Sequence, residues 1–265
     1  MAEPQHDKLP LTVAIIALDA ASQIEPLLES VRFADEVLVV DSGSRDATCD
    51  LARRHGARVE FRDWDGFGKQ KQHAVAAARH DWVLCLDVDE RVTPELARAI
   101  AQAMAAPRYK AYRLARRNRF LGRWLAHGEG YPDWTVRLFH RAHASWSSDD
   151  VHEAVLTTTE VGTLAGDLLH ESADDIATYM NKQNRYSSLH AQMLFRQGVR
   201  AGYWRLAASP VARFVKFYLL RRGFLDGGPG FAHIVIGCTN SFQKYLKLME
   251  LQQGARAKAP EGAAR

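Results

Sequence analysis

Three acidic residues at the end of one apolar run are the side chains best suited to do chemistry in this chain. The segment Leu84–Glu90 reads Leu-Cys-Leu-Asp-Val-Asp-Glu, so a hydrophobic stretch leads directly into Asp87 and Asp89. Side chains two residues apart in a strand point to the same side, and these two carboxylates can therefore converge. Carboxylates repel one another unless a cation or a proton lies between them, and their oxygens suit Mg²⁺ or Mn²⁺. The motif predicts a divalent cation that holds phosphate groups.

The same acidic run has a simpler interpretation as the solvated end of a strand. Thr93 and Pro94 predict the start of a helix just afterwards, and acidic side chains are favoured near a helix N-terminus. Glu90 could then serve local electrostatics alone. The motif by itself leaves both interpretations open.

A second polar segment follows another apolar strand pattern. Asp41–Thr48 reads Asp-Ser-Gly-Ser-Arg-Asp-Ala-Thr and opens a helix. Gly43 would let the backbone approach a ligand, and Asp41, with Ser42 beside it, could hold a ribose or a base edge. The alternative, which spacing alone slightly favours, is a plain strand-to-helix turn capped by Asp46. The chain contains neither G-x-G-x-x-G nor G-x-x-x-x-G-K-[ST], which argues against the dinucleotide-binding and P-loop classes.

The elements that must position these residues alternate between strand and helix patterns over the first hundred residues. The strand patterns are apolar on both faces, which is typical of a mostly parallel sheet covered by helices. The predicted strands are Leu11–Leu18, Glu36–Val40, Ala57–Phe61 and Trp82–Leu86. Because ligands bind beyond the carboxyl ends of such strands, we expect one cleft to collect Asp41, Asp87 and Asp89.

The pattern changes after residue 106. Two further strands, Ala111–Ala115 and Trp134–Phe139, flank a long predicted loop, Arg116–Asp133, and the chain reads as helical from Asp174, with one helix starting at Pro210. We predict an α/β domain, a basic helical region and a disordered tail. The α/β domain covers residues 10–170, with a donor half of about 10–106 and an acceptor half of about 107–170. The basic helical region covers residues 171–253, and the tail covers residues 254–265.

Composition limits the class of protein. A chain of 265 residues with 47% hydrophobic content is long enough for one large or two small domains with a real core. No segment approaches the roughly 20 apolar residues of a membrane-spanning helix, and residues 1–10 lack the apolar core of a signal peptide. The three cysteines show no metal or disulfide spacing, and Cys85 reads as a buried small hydrophobe. A reducing, cytoplasmic compartment fits these features.

The basic residues are unevenly distributed. The net charge is +4, yet Ile176–Leu225 contains nine of the 35 basic residues and no Asp or Glu, which leaves 26 basic against 31 acidic residues elsewhere. This asymmetry predicts a surface for an anionic partner. Aromatic residues of the same segment, including Tyr203, Trp204 and Phe214, could lie in a membrane interface, or the helix could pack on the core with its basic face in solvent. Nucleic acid is not predicted as a partner because no binding motif accompanies the charge.

These segments together resemble the family 2 inverting glycosyltransferases. The nucleotide-sugar half of that family matches residues 12 to about 100, with the Asp41–Thr48 turn, Gly66–Gln72 before an Ala-rich helix, and Trp82–Glu90 in the same order. Later segments are similar to the lipopolysaccharide-core glucosyltransferases that add a β-linked glucose to an inner-core heptose. Those segments are Arg137–Phe139, Val151–Glu153, Gly162–His170, Tyr179–Tyr186, Gly223–Gly227 and Lys244–Leu248.

The resemblance implies a GT-A-like fold, in which a mostly parallel sheet flanked by helices precedes the basic helical region. It implies a metal-dependent, inverting transfer of a sugar, above all glucose from UDP-glucose, to a heptose hydroxyl, with Mg²⁺ or Mn²⁺ as the cofactor. It further implies a lipid-linked anionic oligosaccharide as the acceptor and a cytoplasmic location, peripheral on the inner membrane. Two alternatives stay open, namely polyprenyl phosphate or another cell-surface glycan as the acceptor, and a non-catalytic nucleotide-sugar-binding protein.

The resemblance also implies roles for single residues. Asp89 would bind the metal, Asp87 would share the ion or reach the ribose, and His152 is a further candidate metal ligand. The chain has Asp19-Ala20 where the family usually has Asn-Glu, so a base contact would come from Asp19. The implied donor-binding residues are Asp19, Asp41, Ser42, Gly43, Lys69, Asp87, Trp134 and Arg137.

Inversion requires one carboxylate on the acceptor side to take the proton of the attacking hydroxyl. The acidic candidates in the second half of the chain are Glu129, Asp133, Asp149, Asp150 and Glu153. We select Glu153, which follows a predicted strand and, with His152, matches the family's His-Glu pair. Asp133 is the second choice.

Overall fold

The computed structural model describes residues 8–147, 153–171 and 175–257. The chain divides into two compact units, the first formed by residues 1–118 and 132–172 and the second by residues 119–131 and 173–265. Residues 119–131 therefore belong to the helical unit, which the predicted boundary near 170 does not capture. The division of the first unit near residue 106 stays a prediction.

A mixed sheet forms the centre of the first unit. Its strands are β1 (Leu9–Ala17), β2 (Ala34–Asp41), β3 (Arg58–Phe61), β4 (Trp82–Asp87), β5 (Glu90–Val92), β6 (Ala111–Phe120), β8 (Asp133–His140) and β11 (Val161–His170). The strand order is β3-β2-β1-β4-β8-β6-β11-β5. β1 pairs in parallel with β2 and β4, and β2 with β3, whereas β8 runs antiparallel to β4 and β6. The predicted parallel arrangement is thus confirmed for the first four strands, and the rest of the sheet is mixed.

Helices cover both faces of this sheet. They are α1 (Ala21–Ser30), α2 (Thr48–Arg54), α3 (Phe67–Ala77) and α4 (Pro94–Ala105), and a small hairpin of β9 (Ala144–Trp146) and β10 (Val155–Thr157) adjoins them. Alternate residues of β1 serve the two faces, since Val13 and Ile15 pack with α1 and α4, whereas Ala14 packs with α3. Burial on both faces explains why the strands read as continuous apolar runs.

The predicted loop Arg116–Asp133 is shorter in the structure. β6 continues through Phe120, because its charged residues pair in register with β11, with Arg116 opposite Leu168 and Asn118 opposite His170. A two-residue strand, β7 (Arg123–Trp124), then pairs with the end of β6. Pairing with β11 and then with β7 outweighs the poor strand propensity of a run of arginines.

The second unit is helical, as predicted. α5 (Ile176–Arg196), α6 (Tyr203–Phe214), a π-helical turn (Val215–Leu220), a 3₁₀ turn (Gly223–Asp226) and α7 (Gly227–Ala257) follow one another. α6 starts at Tyr203 and contains Pro210, so Pro210 does not begin the helix. α7 includes residues 254–257, so the predicted tail is helical there, and residues 258–265 lie outside the described chain. Within the described ranges, no helix is long and apolar enough to span a membrane.

Candidate active site

The register of the parallel strands brings two of the predicted acids to one edge of the sheet. Asp41 is the last residue of β2 and lies opposite Ala17 of β1. Asp87 is the last residue of β4 and lies opposite Ile16 of the same strand. Both side chains therefore stand at the carboxyl ends of strands that flank β1, where a cleft was predicted.

Asp41 organises the turn that follows β2. Its Oδ2 accepts hydrogen bonds from the backbone N–H of Gly43 at 2.8 Å and of Ser44 at 2.9 Å, and the Ser44 hydroxyl donates to Oδ1. Burial raises the pKa of Asp41, but the hydrogen bonds from Ser44 and Gly43 outweigh it, so the pKa lies below its ordinary value. Gly43 has a φ of +100°, a conformation that favours glycine. The turn thus presents backbone and small side chains at the strand end.

Asp19 joins this turn to the end of β1. Its Oδ1 accepts from the backbone N–H of Arg45 at 2.8 Å, and its own N–H donates to Ser44 Oγ at 2.9 Å. α2 begins at Thr48 with Ala47 as its N-cap residue, so the alternative that Asp46 is the N-cap is wrong, and the Asp46 carboxylate accepts from the N–H groups of both Thr48 and Ala21. The two strand-to-helix turns therefore form one polar rim, on which Asp19 is exposed.

Asp87 is held between two buried cations. Lys71 Nζ lies 2.8 Å from its Oδ1, and Arg137 Nη2 lies 2.6 Å from its Oδ2. Burial raises the pKa of Asp87, but Arg137 and Lys71 outweigh it and hold the pKa far below the ordinary value. Because both oxygens are already engaged by cations, the arrangement does not fit the expected role of Asp87 as a metal ligand. The metal contact of Asp87 stays a prediction.

Arg137 extends this pairing to a fully buried glutamate. The same Nη2 lies 2.7 Å from Glu90 Oε1, and Glu90 Oε2 accepts from the backbone N–H of Asp87 at 3.0 Å. Burial lowers the pKa of Arg137, but Asp87 and Glu90 raise it overall, so the guanidinium stays charged. Glu90 is therefore part of the site's framework rather than a residue of a solvated strand end.

Asp133, the second choice for the base, is ion-paired elsewhere. Arg116 Nη2 lies 2.6 Å from Asp133 Oδ2, and Arg116 Nη1 also lies 3.5 Å from Glu90. Burial lowers the pKa of Arg116, but Glu90 and Asp133 raise it overall. A carboxylate bound by two guanidinium nitrogens is poorly placed to take a proton, which weakens the case for Asp133.

Glu153 lies next to this cluster, across Lys71. Its Oε1 is 3.3 Å from Lys71 Nζ, so one ammonium group contacts both Glu153 and Asp87. Trp146 of β9 provides an aromatic wall, with its ring 4.8 Å from Lys71 Nζ and 5.7 Å from the Arg137 guanidinium carbon. The indole N–H donates to Cys85 Sγ, and Cys85 is buried, as predicted. A partly exposed carboxylate thus adjoins the strand-end acids.

Asp89 has a different partner, His170 at the end of β11. His170 Nε2 lies 3.2 Å from Asp89 Oδ2, and His170 Nδ1 lies 2.7 Å from the side-chain oxygen of Asn118. Since that amide oxygen only accepts, Nδ1 carries the proton and Nε2 faces the carboxylate. The Asp89 carboxylate and the His170 imidazole lie close enough to share a hydrogen bond or to bind one cation together.

Asp89 is paired with a histidine, whereas both oxygens of Asp87 are paired with protein cations. An imidazole that donates its other N–H to an oxygen is the usual state of a metal-binding histidine. Across the described part of the chain, no cluster of three or more His, Cys, Asp or Glu side chains could hold a metal. A metal at this pair would therefore need further oxygens from a ligand, as diphosphate-bound Mg²⁺ or Mn²⁺ commonly has.

The remaining predicted residues lie in several places. Lys69 pairs with Asp65 at 3.1 Å and is half exposed, so Lys71 rather than Lys69 points into the cluster. Trp134 stacks under the Arg113 guanidinium, 4.8 Å from ring centre to carbon, instead of lining the Arg137 cluster. Ser42 Oγ accepts from Gln70 Nε2 at 3.0 Å, which ties the Asp41 turn to α3.

Glu129, another candidate base, belongs to the second unit and pairs there with Arg213. The candidates Asp149, Asp150 and His152 lie outside the described residues.

Lys71 and His170 are both candidates from the sequence, Lys71 for the nucleobase or diphosphate and His170 for metal, phosphate or acceptor, and the structure pairs them with Asp87 and Asp89. The apolar positions Ala74, Val75 and Ala78 are buried, and helical spacing backwards from Ala74 and Val75 points to Lys71. His170 offered a weaker signal, namely its position at the end of a strand pattern.

The family model "Glycosyl transferase family 2" matches residues 12–155. An uncharacterized glycosyltransferase of Rickettsia bellii is 32% identical over 258 residues, which cover 91% of this chain and 86% of that protein. The lipopolysaccharide core biosynthesis glycosyltransferase LpsC of Rhizobium meliloti is 28% identical over 251 residues, covering 92% and 93% of the two chains. Among solved structures, S. aureus TarS 1-349 in complex with UDP-GlcNAc is 12% identical over 92% of both chains with a TM-score of 0.48, a likeness too slight to inform on function.

Proposed function

Because the chain belongs to glycosyltransferase family 2, we propose that it transfers a sugar with inversion from a UDP-sugar to a heptose hydroxyl of the lipopolysaccharide core. The acceptor class is supported by the likeness to LpsC over nearly the whole of both chains. Glucose from UDP-glucose is the donor we propose first, and it rests on the similarity of the later sequence segments to the core β-glucosyltransferases. The non-catalytic alternative loses its basis, since the relatives are glycosyltransferases.

The proposed mechanism depends on the ammonium group of Lys71, which contacts two carboxylates. Lys71 Nζ contacts Asp87 at 2.8 Å and Glu153 at 3.3 Å, so a carboxylate from the acceptor half adjoins the acids of the donor half. Inverting transfer needs such a base opposite the leaving group. The acceptor oxygen bonds to the sugar C1, the bond from C1 to the diphosphate oxygen breaks, and Glu153 takes the proton of the acceptor hydroxyl.

The donor side would be served by the polar rim and the buried cations. Asp41, Ser42, Gly43 and Asp19 are proposed to contact the nucleoside, where carboxylate oxygens suit ribose hydroxyls and base N–H groups. Asp87 is proposed to hold Arg137 and Lys71 in place rather than to bind an ion. In that position the cations favour the negative charge of a diphosphate.

The cofactor proposed is Mg²⁺ or Mn²⁺, with Asp89 and His170 as the protein ligands. When bound, the ion would supply positive charge that stabilises the departing diphosphate. Asn118 would orient the His170 ring by accepting from Nδ1.

Measurement of sugar transfer with Glu153→Gln tests this proposal. With UDP-glucose, Mn²⁺ and a truncated heptose-bearing acceptor, the variant should lose about 10²–10⁴-fold in kcat, because it lacks the general base. Its affinity for UDP should stay close to that of the wild type. The matched control is Glu160→Gln, since Glu160 is an exposed acid three residues beyond β10 and should retain full transfer.

The outcome separates the parts of the proposal. Full transfer by Glu153→Gln would remove Glu153 as the base. Transfer of another sugar from its UDP donor would correct the donor, and transfer to polyprenyl phosphate instead of the heptose acceptor would correct the acceptor. Mass spectrometry and NMR of the product identify the sugar and the anomeric configuration, and an α-linked product would exclude inversion.

A further inference from the structure

A row of apolar side chains is exposed along α6 and the π-helical turn that follows it. Trp204, Val211, Val215 and Leu219 recur at intervals of seven and four residues, so they share one face of the helix. Their exposure is 84%, 63%, 40% and 52% respectively. A helix face of this kind is normally buried against a core.

The row widens at both ends. Tyr203 precedes it with 77% exposure, and Leu220 follows it with 76%. Phe224 and Leu225 of the 3₁₀ turn are also about half exposed. We call these eight residues the α6 surface. They are Tyr203, Trp204, Val211, Val215, Leu219, Leu220, Phe224 and Leu225.

The α6 surface is not the side on which the helix packs in its own unit. Leu206 is buried, and Phe214 and Tyr218 stack on each other and contact Phe231 of α7 edge-on. The helix therefore has one apolar side that builds the unit and a second apolar side that faces outward. Contiguous exposed apolar surface of this kind marks an interaction site.

The exposed charges of α6 and of the turns that follow it are all positive. Arg205, Lys216 and Arg222 are exposed along it, and the segment Ile176–Leu225 contains no Asp or Glu. By contrast, Arg213 is engaged by Glu129 within the second unit. The partner of this surface must therefore be apolar enough to take Trp204 and Leu220 and negative enough to attract the basic residues.

We propose that the α6 surface docks on a lipid bilayer with anionic headgroups. The helix would lie in the plane of the interface, with the apolar side chains at the boundary of the acyl chains and the basic residues at the headgroups. Trp and Tyr prefer this boundary, and each nearby Lys or Arg gains from anionic lipid. The helical stretch of residues 203–220 carries six of the eight residues, and Phe224 and Leu225 follow in the 3₁₀ turn.

A second copy of the chain is a poorer partner for the same surface. Two α6 surfaces in contact would bring Arg205, Lys216 and Arg222 of both copies together, and like charges at an interface are unfavourable. A soluble anionic glycan would satisfy the basic residues but would leave the apolar row in water.

Sedimentation of the full chain with vesicles tests this proposal. The wild type should pellet with phosphatidylcholine vesicles that contain phosphatidylglycerol, should pellet far less with phosphatidylcholine alone, and should be released by high salt. The double variants Trp204→Ser/Leu220→Ser and Lys216→Glu/Arg222→Glu should each weaken the partition by about tenfold or more. Because these positions are exposed, both variants should keep the wild-type circular dichroism spectrum and melting temperature.

The matched control is Leu156→Ser/Arg98→Glu, which changes an exposed apolar and an exposed basic residue of the first unit and should bind vesicles like the wild type. Equal pelleting of all variants, or no pelleting of the wild type, would overturn the proposal. So would a dimer in size-exclusion chromatography with light scattering that Trp204→Ser/Leu220→Ser abolishes, since this would assign the surface to a second copy. Vesicle binding needs neither donor nor transfer, so it can fail while the proposed transfer stands, and the reverse.

Discussion

The two aspartates of the Asp87-Val88-Asp89 motif have different surroundings. Asp87 is engaged on both oxygens by Lys71 and Arg137, whereas Asp89 lies 3.2 Å from His170 Nε2. Repulsion between carboxylates is relieved by protein cations at Asp87, and a proton or metal can relieve it at Asp89. One motif thus supplies an acid paired with two protein cations and an acid paired with a histidine.

The lowered pKa of Asp87 predicts a dependence of stability on pH. Since Arg137 and Lys71 hold the folded-state pKa far below the unfolded value, the ionised carboxylate stabilises the fold fully above about pH 5. This stabilisation is lost as the pH falls below about 4, where unfolded Asp takes up its proton first. The free energy of unfolding, measured with urea between pH 3 and pH 7, should therefore rise with pH, and Asp87→Asn should flatten that rise.

Asp63→Asn is the control for this pH dependence, because Asp63 is an exposed loop residue. It should leave the slope of unfolding free energy against pH unchanged. An Asp87→Asn protein with the wild-type slope would show that the acid-sensitive interaction lies elsewhere, for example at Glu36, whose pKa is also lowered. Burial raises that pKa, and hydrogen bonds from Thr12, Arg79 and Arg58 outweigh it.

At the scale of elements, the sequence predicts where the strands end better than which way the side chains turn. The ends of β2 and β4 follow from apolar runs stopped by acids, so Asp41 and Asp87 were correctly expected at one sheet edge. Lys69 and Lys71 stand two residues apart at the start of α3 and so point to nearly opposite sides of the helix. The sequence alone does not decide which of the two lysines faces the acids. The burial of Ala74 and Val75 fixes the rotation of α3 and so places Lys71 on the side of the acids.

Two features of the site depend on strand pairing that no local pattern records. Arg137 lies at an irregularity in the pairing of β8 with β6, where Leu138 pairs with Tyr112 but Val136 pairs with Arg113. Such a bulge redirects a side chain, and its position is set by the partner strand. His170 reaches Asp89 because β5 pairs with the end of β11, a contact between segments about 80 residues apart in sequence.

Close packing at the first turn of α3 predicts the effect of a single methyl group. A Cβ on Gly68 would overlap the carbonyl oxygen of Ser147, which is backbone and cannot move aside alone. Gly68→Ala should therefore push α3 from the β9–β10 hairpin and displace Lys71 from Glu153. We expect a loss of about 1–3 kcal/mol in the free energy of unfolding, as in overpacked cores, together with reduced transfer. Urea denaturation and the transfer assay measure the two effects.

Gly228→Ala is the matched control for this substitution. Gly228 lies in the first turn of α7, no heavy atom lies within 4 Å of an added Cβ, and its φ is not in the left-handed region. Alanine there should be neutral or slightly stabilising, as expected for a better helix former. If Gly68→Ala were equally harmless, α3 would not be fixed by this contact.

On the scale of the whole molecule, the two proposed surfaces lie in separate units of the chain. The acids, Lys71 and His170 belong to the first unit, and the α6 surface belongs to the second. Substitutions in one should leave the binding property of the other intact, because sites without shared partners are usually additive. This separation allows donor binding to be measured on the full chain without vesicles.

Donor binding by the full chain should depend on a divalent cation. A ligand that binds only the folded state stabilises it, by about 2.7 kcal/mol at a concentration one hundred times its Kd, and so raises the Tm. We expect UDP with Mn²⁺ to raise the Tm more than UDP with EDTA, because Asp89 and His170 alone provide too few ligands to hold the ion without the diphosphate.

Asp89→Asn and His170→Gln should each raise the Mn²⁺ concentration needed for half of this shift by about tenfold or more. The double variant should lose little beyond the worse single one, since the two residues would hold the same ion. Asp87→Asn should instead lower the Tm without ligand and keep the extra rise in Tm that Mn²⁺ gives with UDP. If Asp87→Asn alone lost this extra rise, Asp87 would be the metal ligand.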